Sequence, residues 1–393
     1  MAEPSPHGMR VGTGCAGFGD AFEAGRTAAA GAVAGLGGAD PPLVLVFATP
    51  RFDLPALLAG VRSVTGNALL AGCTGSGELV AGRYLGFGGG VGVLALSQGP
   101  YRFAAASLGD IPADGLDAAG RQLARAARDD AGPSPHAAAL LITDSLLGDL
   151  QEFVQGVYRV AGAKVALIGG GAGDEQKFVE SSVFHGDQVL HKGALVLWIA
   201  SDRPLRGITR HGWQPMGAPL LVTRAEGTRL LELGGRPAAE AYEAELGLQA
   251  PLAIEAFWPA SLRHPFGVAQ PDGTHVIRVA RAKDAQGTLT IQGCVPAVGS
   301  VVQVMEGSPD RLLDVTGDVV AAALEEQPGA SVLLVFSCAA RAMILGDRAP
   351  EEAGRLQDAA GAVPTFGFYC CAEFARTSGV LATHNATLTA IAL

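Results

Sequence analysis

Three glycine–glutamate pairs in this sequence share one spacing. Gly72 and Glu78, Gly169 and Glu175, and Gly367 and Glu373 are each six residues apart. Each pair closes an apolar run, in "LLAGCTGSGE" (69–78), "ALIGGGAGDE" (166–175) and "TFGFYCCAE" (365–373). None is a P-loop, because the Lys-Ser/Thr that holds phosphate and magnesium is missing and the acids that follow would repel a phosphate. The backbone amides of such turns can bind a carboxylate or other small anion. Glu78, Glu175 and Glu373 can bind an ammonium group, and Asp174 adds charge beside Glu175. Gly72, Gly169 and Gly170 would then form the floor of a site, with Cys73 beside them. The plainer reading is tight packing at strand ends, with the acids capping helices or facing water.

The strands before these runs bring a second set of candidates. Aligning Phe47, Ile142 and Phe336 places Thr49, Asp144 and Cys338 at matching strand ends. Arg341 lies close to Cys338 in sequence, and a guanidinium beside a thiol favours thiolate. The alternative is a buried small hydrophobe next to a structural arginine. His211 in "RHGWQPMG" and His384, with Asn385, in "THNATL" can hydrogen-bond a ligand. His185 and His191 flank a hairpin and are less constrained. A cysteine enzyme would use Cys338 or Cys73 as nucleophile and His211 or His384 as base, provided the pair comes within hydrogen-bond reach.

The elements that position these residues repeat. "LVLVFAT" (43–49), the helical "DLPALLAGVRSVTG" (53–66) and the first glycine run form one unit. "ALLITDS" (139–145), "DLQEFVQGVYRVAG" (149–162) and the second run form another; "VLLVFSC" (332–338), "EEAGRLQDAAG" (351–361) and the third run form the last. Continuous Val/Leu/Ile runs suit strands covered by helices. Asp at the start of the first two helices and Gly at the end of all three are cap signals. The strand–helix–strand order predicts parallel neighbours joined by a right-handed crossover. Residues 84–97 with 101–109, and 181–190, 193–201 and 205–213, read as antiparallel hairpin strands. Residues 275–307 read as three strands, 309–327 as a helix, 248–273 as an irregular connection, and 380–393 as the last strands. The expected fold is therefore α/β, with mixed β-sheets flanked by helices. It is built from repeated β-α-β units with antiparallel hairpin extensions. A boundary after "HGWQPMG" divides the chain into domains 9–214 and 215–393.

Composition narrows the function classes. The chain has 393 residues, 49% of them apolar and 17% charged, with a net charge of −10. No Lys/Arg-rich run occurs, so nucleic acid is not an expected partner. Apolar runs such as "GALVLWIA" are too short to span a bilayer, and no membrane insertion is expected. "MAEPSPHGMR" has no basic region leading into an apolar stretch, so no signal peptide is expected. The six cysteines lack zinc-site spacing and imply reduced thiols in a cytoplasmic protein.

The order "GCTGSGE", "GGGAGDE", "VFHGDQVLHKGALVLWIA", "HGWQPMG", "FSCAARAMILG", "FGFYCCAEFA" and "THNATL" resembles FIST-domain proteins, which join a FIST N domain to a FIST C domain. The resemblance runs from about residue 30 to the end. It implies a sensory module of signal transduction that binds a small polar ligand such as an amino acid and acts through a separate signalling partner protein. Some bacterial members are haem-binding nitric oxide sensors, so haem is a possible cofactor, with His211 or His384 to coordinate its iron. The family often has "GFF-x-x-GE" where this sequence has "GFYCCAE", which sets Cys370 and Cys371 apart from the family pattern.

Overall fold

The computed structural model describes residues 8–270, 273–378 and 381–393. Most of the N-terminal stretch read for a signal peptide lies outside them, as do residue 380 and residues 271–272 of the expected connection. Three six-stranded sheets form the core, and each has the same strand order. The first runs Val11–Gly17, Gly90–Leu96, Leu43–Ala48, Leu69–Thr74, Ser182–His185, Gln188–His191. The second runs Tyr101–Leu108, Ala194–Ser201, His136–Asp144, Ala166–Ala172, Glu373–Ser378, Leu381–His384. The third runs Gly207–Arg210, Leu388–Ala392, Leu333–Cys338, Thr365–Cys370, Glu78–Val80, Arg83–Tyr84. In each sheet the two central strands are parallel and the other pairings antiparallel. The chain is α/β with mixed sheets, built from three copies of one unit.

The last two strands of every sheet come from a different repeat. The hairpin after Thr74 joins the third sheet, the hairpin after Ala172 joins the first, and the hairpin after Cys370 joins the second. The repeats thus exchange hairpins in a closed circle. This changes the expected local pairing. Gly90–Leu96 and Tyr101–Leu108 do not pair with each other but lie in different sheets. Residues 181–213 likewise supply all three sheets, and only Ser182–His185 with Gln188–His191 form a hairpin. Gly- and Pro-rich connections serve a hairpin and a corner between sheets equally well, so turn residues cannot tell them apart.

Side-chain alternation explains how the sheets stack. Leu43, Leu45 and Phe47, Leu140 and Ile142, and Leu334 and Phe336 point inward to one shared core. Phe47 packs on Phe366 and Phe368 at 5.3 and 4.3 Å between ring centres, which ties the first sheet to the third. The outer faces of the sheets bury helices. Asp53 and Asp149 cap their helices by accepting from the backbone N–H of Ala56 and Gln151. Gly66 and Gly162 end them with positive φ. In the third repeat the crossover is two helices, Ala339–Leu345 and Ala349–Ala360.

The chain leaves the third repeat at Gln214 and returns at Glu306, so residue 215 falls at the start of an insertion. The inserted sheet has its own core around Tyr242, Phe257 and Phe266. Its two outermost strands, His275–Arg278 and Ala280–Lys283, are consecutive in the chain, so the sheet curls back on itself. Residues 275–307 supply four strands rather than three. The connection expected to be irregular contains the helix Ile254–Arg263 and the strand Phe266–Ala269. Pro259 inside that helix hid it from propensity reasoning.

Candidate functional site

Strand register confirms the alignment of the repeats. Phe47 pairs with Cys73, Ile142 with Gly170 and Phe336 with Phe368. Gly72, Gly169 and Gly367 follow as equivalents, but they lie within strands and not in turns. A Cβ on them would sit 1.8, 2.0 and 1.7 Å from the carbonyl oxygens of Val46, Leu141 and Val335. Their work is close backbone packing between parallel strands. Gly170 packs its open face on Cys370 and Phe368.

The glutamates are not all equivalent. Leu79 pairs with Gly367, Phe374 with Gly169 and Phe184 with Gly72. Glu78 and Glu373 therefore match, and Val183 takes the third place instead of Glu175. The second repeat carries eight extra residues here, 174–181. They form a strap. Asp174 holds it by accepting from the N–H groups of Phe178, Val179 and Glu180 at 3.0, 2.6 and 3.2 Å. Asp144 fixes its far end through the hydroxyl of Ser181 at 2.7 Å. Glu175, Gln176 and Phe178 have φ of 60°, 65° and 55°. Left-handed backbone at such residues costs about 1–3 kcal/mol each and gathers where structure is held for function. Glu175 accepts from Thr49 Oγ1 at 2.5 Å and from Arg51 Nε at 2.9 Å, with Lys177 Nζ at 3.6 Å. Phe178 meets Trp258 of the insertion edge-on at 5.9 Å, with the Arg281 guanidinium 5.4 Å from its ring.

Beneath the strap the three repeats meet. Ser76, Gly173 and Cys371 hold equivalent positions, and a Cβ on Gly173 would lie 2.7 Å from Ser76 Oγ and 3.2 Å from Cys371 Sγ. Backbone bonds from Gly173 to Thr74, Ser76 to Tyr369 and Cys371 to Gly171 close the ring. Beside it is a small cavity of about 20 Å³, lined by Cys338, Cys370, Cys371, Gln176, Gln292 and Asn385 and covered by Phe178 and Trp258. Gln176 Nε2 reaches Cys371 Sγ at 3.4 Å. Asn385 accepts from the Val279 N–H, but its Nδ2, fully buried, has no partner among the described residues. Cys370 donates to Glu373 Oε1 at 3.2 Å, while Thr387 donates to Oε2 through its N–H and hydroxyl.

Burial sets the charges. It pushes Glu373 up to about 7, against the pull of its donors. It pushes Cys338 and Cys370 well up, with Glu373 adding to both, and Cys371 up to about 12, with Asp174 adding. Glu78 is fully buried, neither oxygen has a partner among the described residues, and burial pushes it well up. Burial also pushes Cys73 well up, with Glu78 adding. Both acids hold a proton more tightly in the folded chain than in the unfolded one. Stability is therefore expected to be full below about pH 4.5 for these groups and to fall as pH rises toward about 7, where Glu373 ionises. For Glu373 the loss is about 3 kcal/mol. Urea midpoints measured from pH 5 to 8 check this, and a shallower fall for Glu373→Gln than for the parent, with the Glu78 part remaining, identifies the group.

The expected partners of Cys338 lie elsewhere. Arg341 is fully buried and turned to Glu352, at 3.0 Å from Nε and 2.7 Å from Nη2, and to the Leu312 carbonyl. It does not favour thiolate at Cys338. His384 is buried with Nε2 2.8 Å from the Ala375 carbonyl, and burial, with Arg278, pushes it down to about 4. Burial pushes His211 down to about 4 as well, and its Nδ1 has no partner among the described residues. Neither ring lines the cavity, and a cavity this small does not fit a haem. Among the described residues no group of three His, Cys, Asp or Glu is placed to hold a metal ion. Gln176, Phe178, Trp258 and Gln292 were not foreseen. The longer interval from Gly169 to Ser182 was the only signal of the strap.

The FIST N domain family matches residues 42–236 and the FIST C domain family residues 238–376. Uncharacterized protein Rv0628c of Mycobacterium tuberculosis is 26% identical over 404 residues, which cover 96% of this chain and 98% of that protein. Uncharacterized protein Mb0898c of Mycobacterium bovis is 26% identical over 240 residues, 56% of this chain. That match spans 58% of the relative's own length. The crystal structure of a cyanuric acid hydrolase from A. caulinodans aligns with a TM-score of 0.30 at 15% identity, over 51% of this chain and 72% of that one.

Proposed function

Because the chain belongs to the FIST family, whose domains are associated with sensory roles in signal transduction, we propose that it senses a small polar ligand, such as an amino acid, in the cleft beneath the strap. The observation that carries this reading is Asn385, which lines the cavity and whose buried Nδ2 has no partner among the described residues. A donor in that state loses about 1–3 kcal/mol until an acceptor reaches it, and a ligand carboxylate or carbonyl is such an acceptor. The cavity holds little more than a water molecule as it stands, so an amino acid would enter only by lifting residues 174–181. Lifting them changes the Glu175–Arg51 and Phe178–Trp258 contacts. That converts occupancy into a surface change, which a separate signalling protein would read. Six free thiols, five of them buried, fit a reducing cytoplasm. No helix among the described residues is long and apolar enough to cross a membrane.

The rival readings have less behind them. A cysteine enzyme built on Cys338 lacks support for the base assigned to it, since neither His211 nor His384 lines the cavity that the thiol lines. The cavity beneath the strap is too small for a haem, and neither His211 nor His384 lines it.

Thermal melts of the purified chain against single amino acids test the proposal. A ligand at one hundred times its Kd stabilises by about 2.7 kcal/mol, which raises the midpoint visibly. Asn385→Leu should weaken that ligand about tenfold by calorimetry, the value of one lost hydrogen bond. If no amino acid moves the parent's midpoint, the ligand class is wrong.

A further inference from the structure

Cys338 and Cys370 are placed as a pair by the sheet itself. They are register partners at the ends of the parallel strands Leu333–Cys338 and Thr365–Cys370. Neighbouring strands lie about 4.8 Å apart, within the Cα separation of about 4.4–6.8 Å that a disulfide accepts. Both thiols line the one cavity. Both also lie close to the same carboxylate: Cys370 donates to Glu373 Oε1 at 3.2 Å, and Glu373 helps push the Cys338 thiol up. Two thiols and Asn385, whose Nδ2 has no partner among the described residues, thus line a space with room for about one water-sized group, and Glu373 accepts from one of the thiols.

We propose that Cys338 and Cys370 form a dithiol that reduces hydrogen peroxide and closes into a disulfide beneath the strap. The Glu373 carboxylate takes the Cys370 proton as the sulfur attacks one peroxide oxygen. The O–O bond breaks, the far oxygen leaves as water with the proton relayed from Glu373, and Asn385 Nδ2 donates to an oxygen in the cavity. Cys370 is left as a sulfenic acid. The Cys338 sulfur then attacks it, its proton joins the departing hydroxyl as a second water, and the disulfide forms. Two thiols lose two electrons and two protons, and one hydrogen peroxide is reduced. Glu373 acts when ionised, and its position near 7 makes both of its forms available in neutral solution. Cys371 is set apart from the pair by the hydrogen bond it receives from Gln176. The inference does not rest on the amino-acid reading, because the chemistry needs no other ligand.

The test uses the full reduced chain and hydrogen peroxide added in small steps, with alkylation and peptide mapping at each step. The expected result is a Cys338–Cys370 cross-link with the loss of two of the six free thiols, before the half-buried Cys15 reacts. Cys338→Ser should stop the cross-link and leave a sulfenic acid on Cys370 that a cyclic dione traps. Glu373→Gln should slow the reaction at least tenfold. Cys294→Ser, which removes a thiol outside the cavity, should leave the cross-link in place. The proposal is overturned if Cys338 and Cys370 both remain alkylatable after Cys15 is oxidised, or if the first disulfide joins other cysteines. That mapping on the parent decides the matter even where a variant fails to fold. An unmoved thermal midpoint with amino acids would leave this result untouched.

Discussion

Alanine at Gly367 is expected to cost about 3 kcal/mol or more, or to give no folded protein. The new Cβ would lie 1.7 Å from the Val335 carbonyl oxygen, and the obstacle is backbone in the centre of a sheet. No rotamer change relieves it. The parallel pair must spread, which breaks the register that holds Cys338 opposite Cys370. Gly72→Ala and Gly169→Ala should behave alike, because their clashes of 1.8 and 2.0 Å are the same contact in the other two repeats. Gly317→Ala is the control. It lies in the helix Pro309–Glu326 with nothing within 4 Å of its Cβ, so alanine there should stabilise by about 0.5–1 kcal/mol. Chemical denaturation of the four variants settles the point: a mild effect in all three sheets would mean that the strands accept a methyl group.

The second large effect is expected at Arg341. Its guanidinium and the Glu352 carboxylate are both fully buried. Glu352 also accepts from the Tyr369 hydroxyl at 2.6 Å and from Ser337 Oγ at 3.2 Å. Arg341→Met leaves that carboxylate buried without its counter-ion, at a cost of about 3–5 kcal/mol. Arg341→Met with Glu352→Gln should recover most of the loss, because the amide is neutral and still accepts from Tyr369. A double-mutant cycle on urea midpoints reads the coupling. If the two losses simply add, the pair is not the anchor between the helix Ala349–Ala360 and the strand behind it.

The repeats were legible because their signals are local. Apolar runs, Asp caps and terminal glycines lie within the segments they describe, and the alignment on Phe47, Ile142 and Phe336 agrees with the strand register. Sheet membership was not legible, because it depends on partners far away in the chain. Glu175 shows how a regular spacing can mislead. It matches Glu78 and Glu373 in interval from its glycine, yet the strap displaces it, and Val183 fills the equivalent place. Arg341 misled for a related reason. Three residues after Cys338 it sits on a helix and faces the next helix, so nearness in sequence did not become nearness to the thiol. The cavity lay beyond reach altogether, since Gln176, Trp258 and Asn385 come from three parts of the chain.

The circle of exchanged hairpins bears on how the protein is made. During synthesis from the N-terminus the first sheet cannot be finished until residue 191 has emerged, nor the second until 384 and the third until 392. A nascent chain that has completed the first two repeats still carries the strand Ala166–Ala172 with an open edge, and the hairpin 78–84 has no sheet to join. Cutting the chain between the two family domains, near residue 237, produces the same two defects. Open edges of this kind pair with whatever strand is near. The two named domains are therefore not separable folding units, and a fragment of either is expected to aggregate where the whole chain closes on itself.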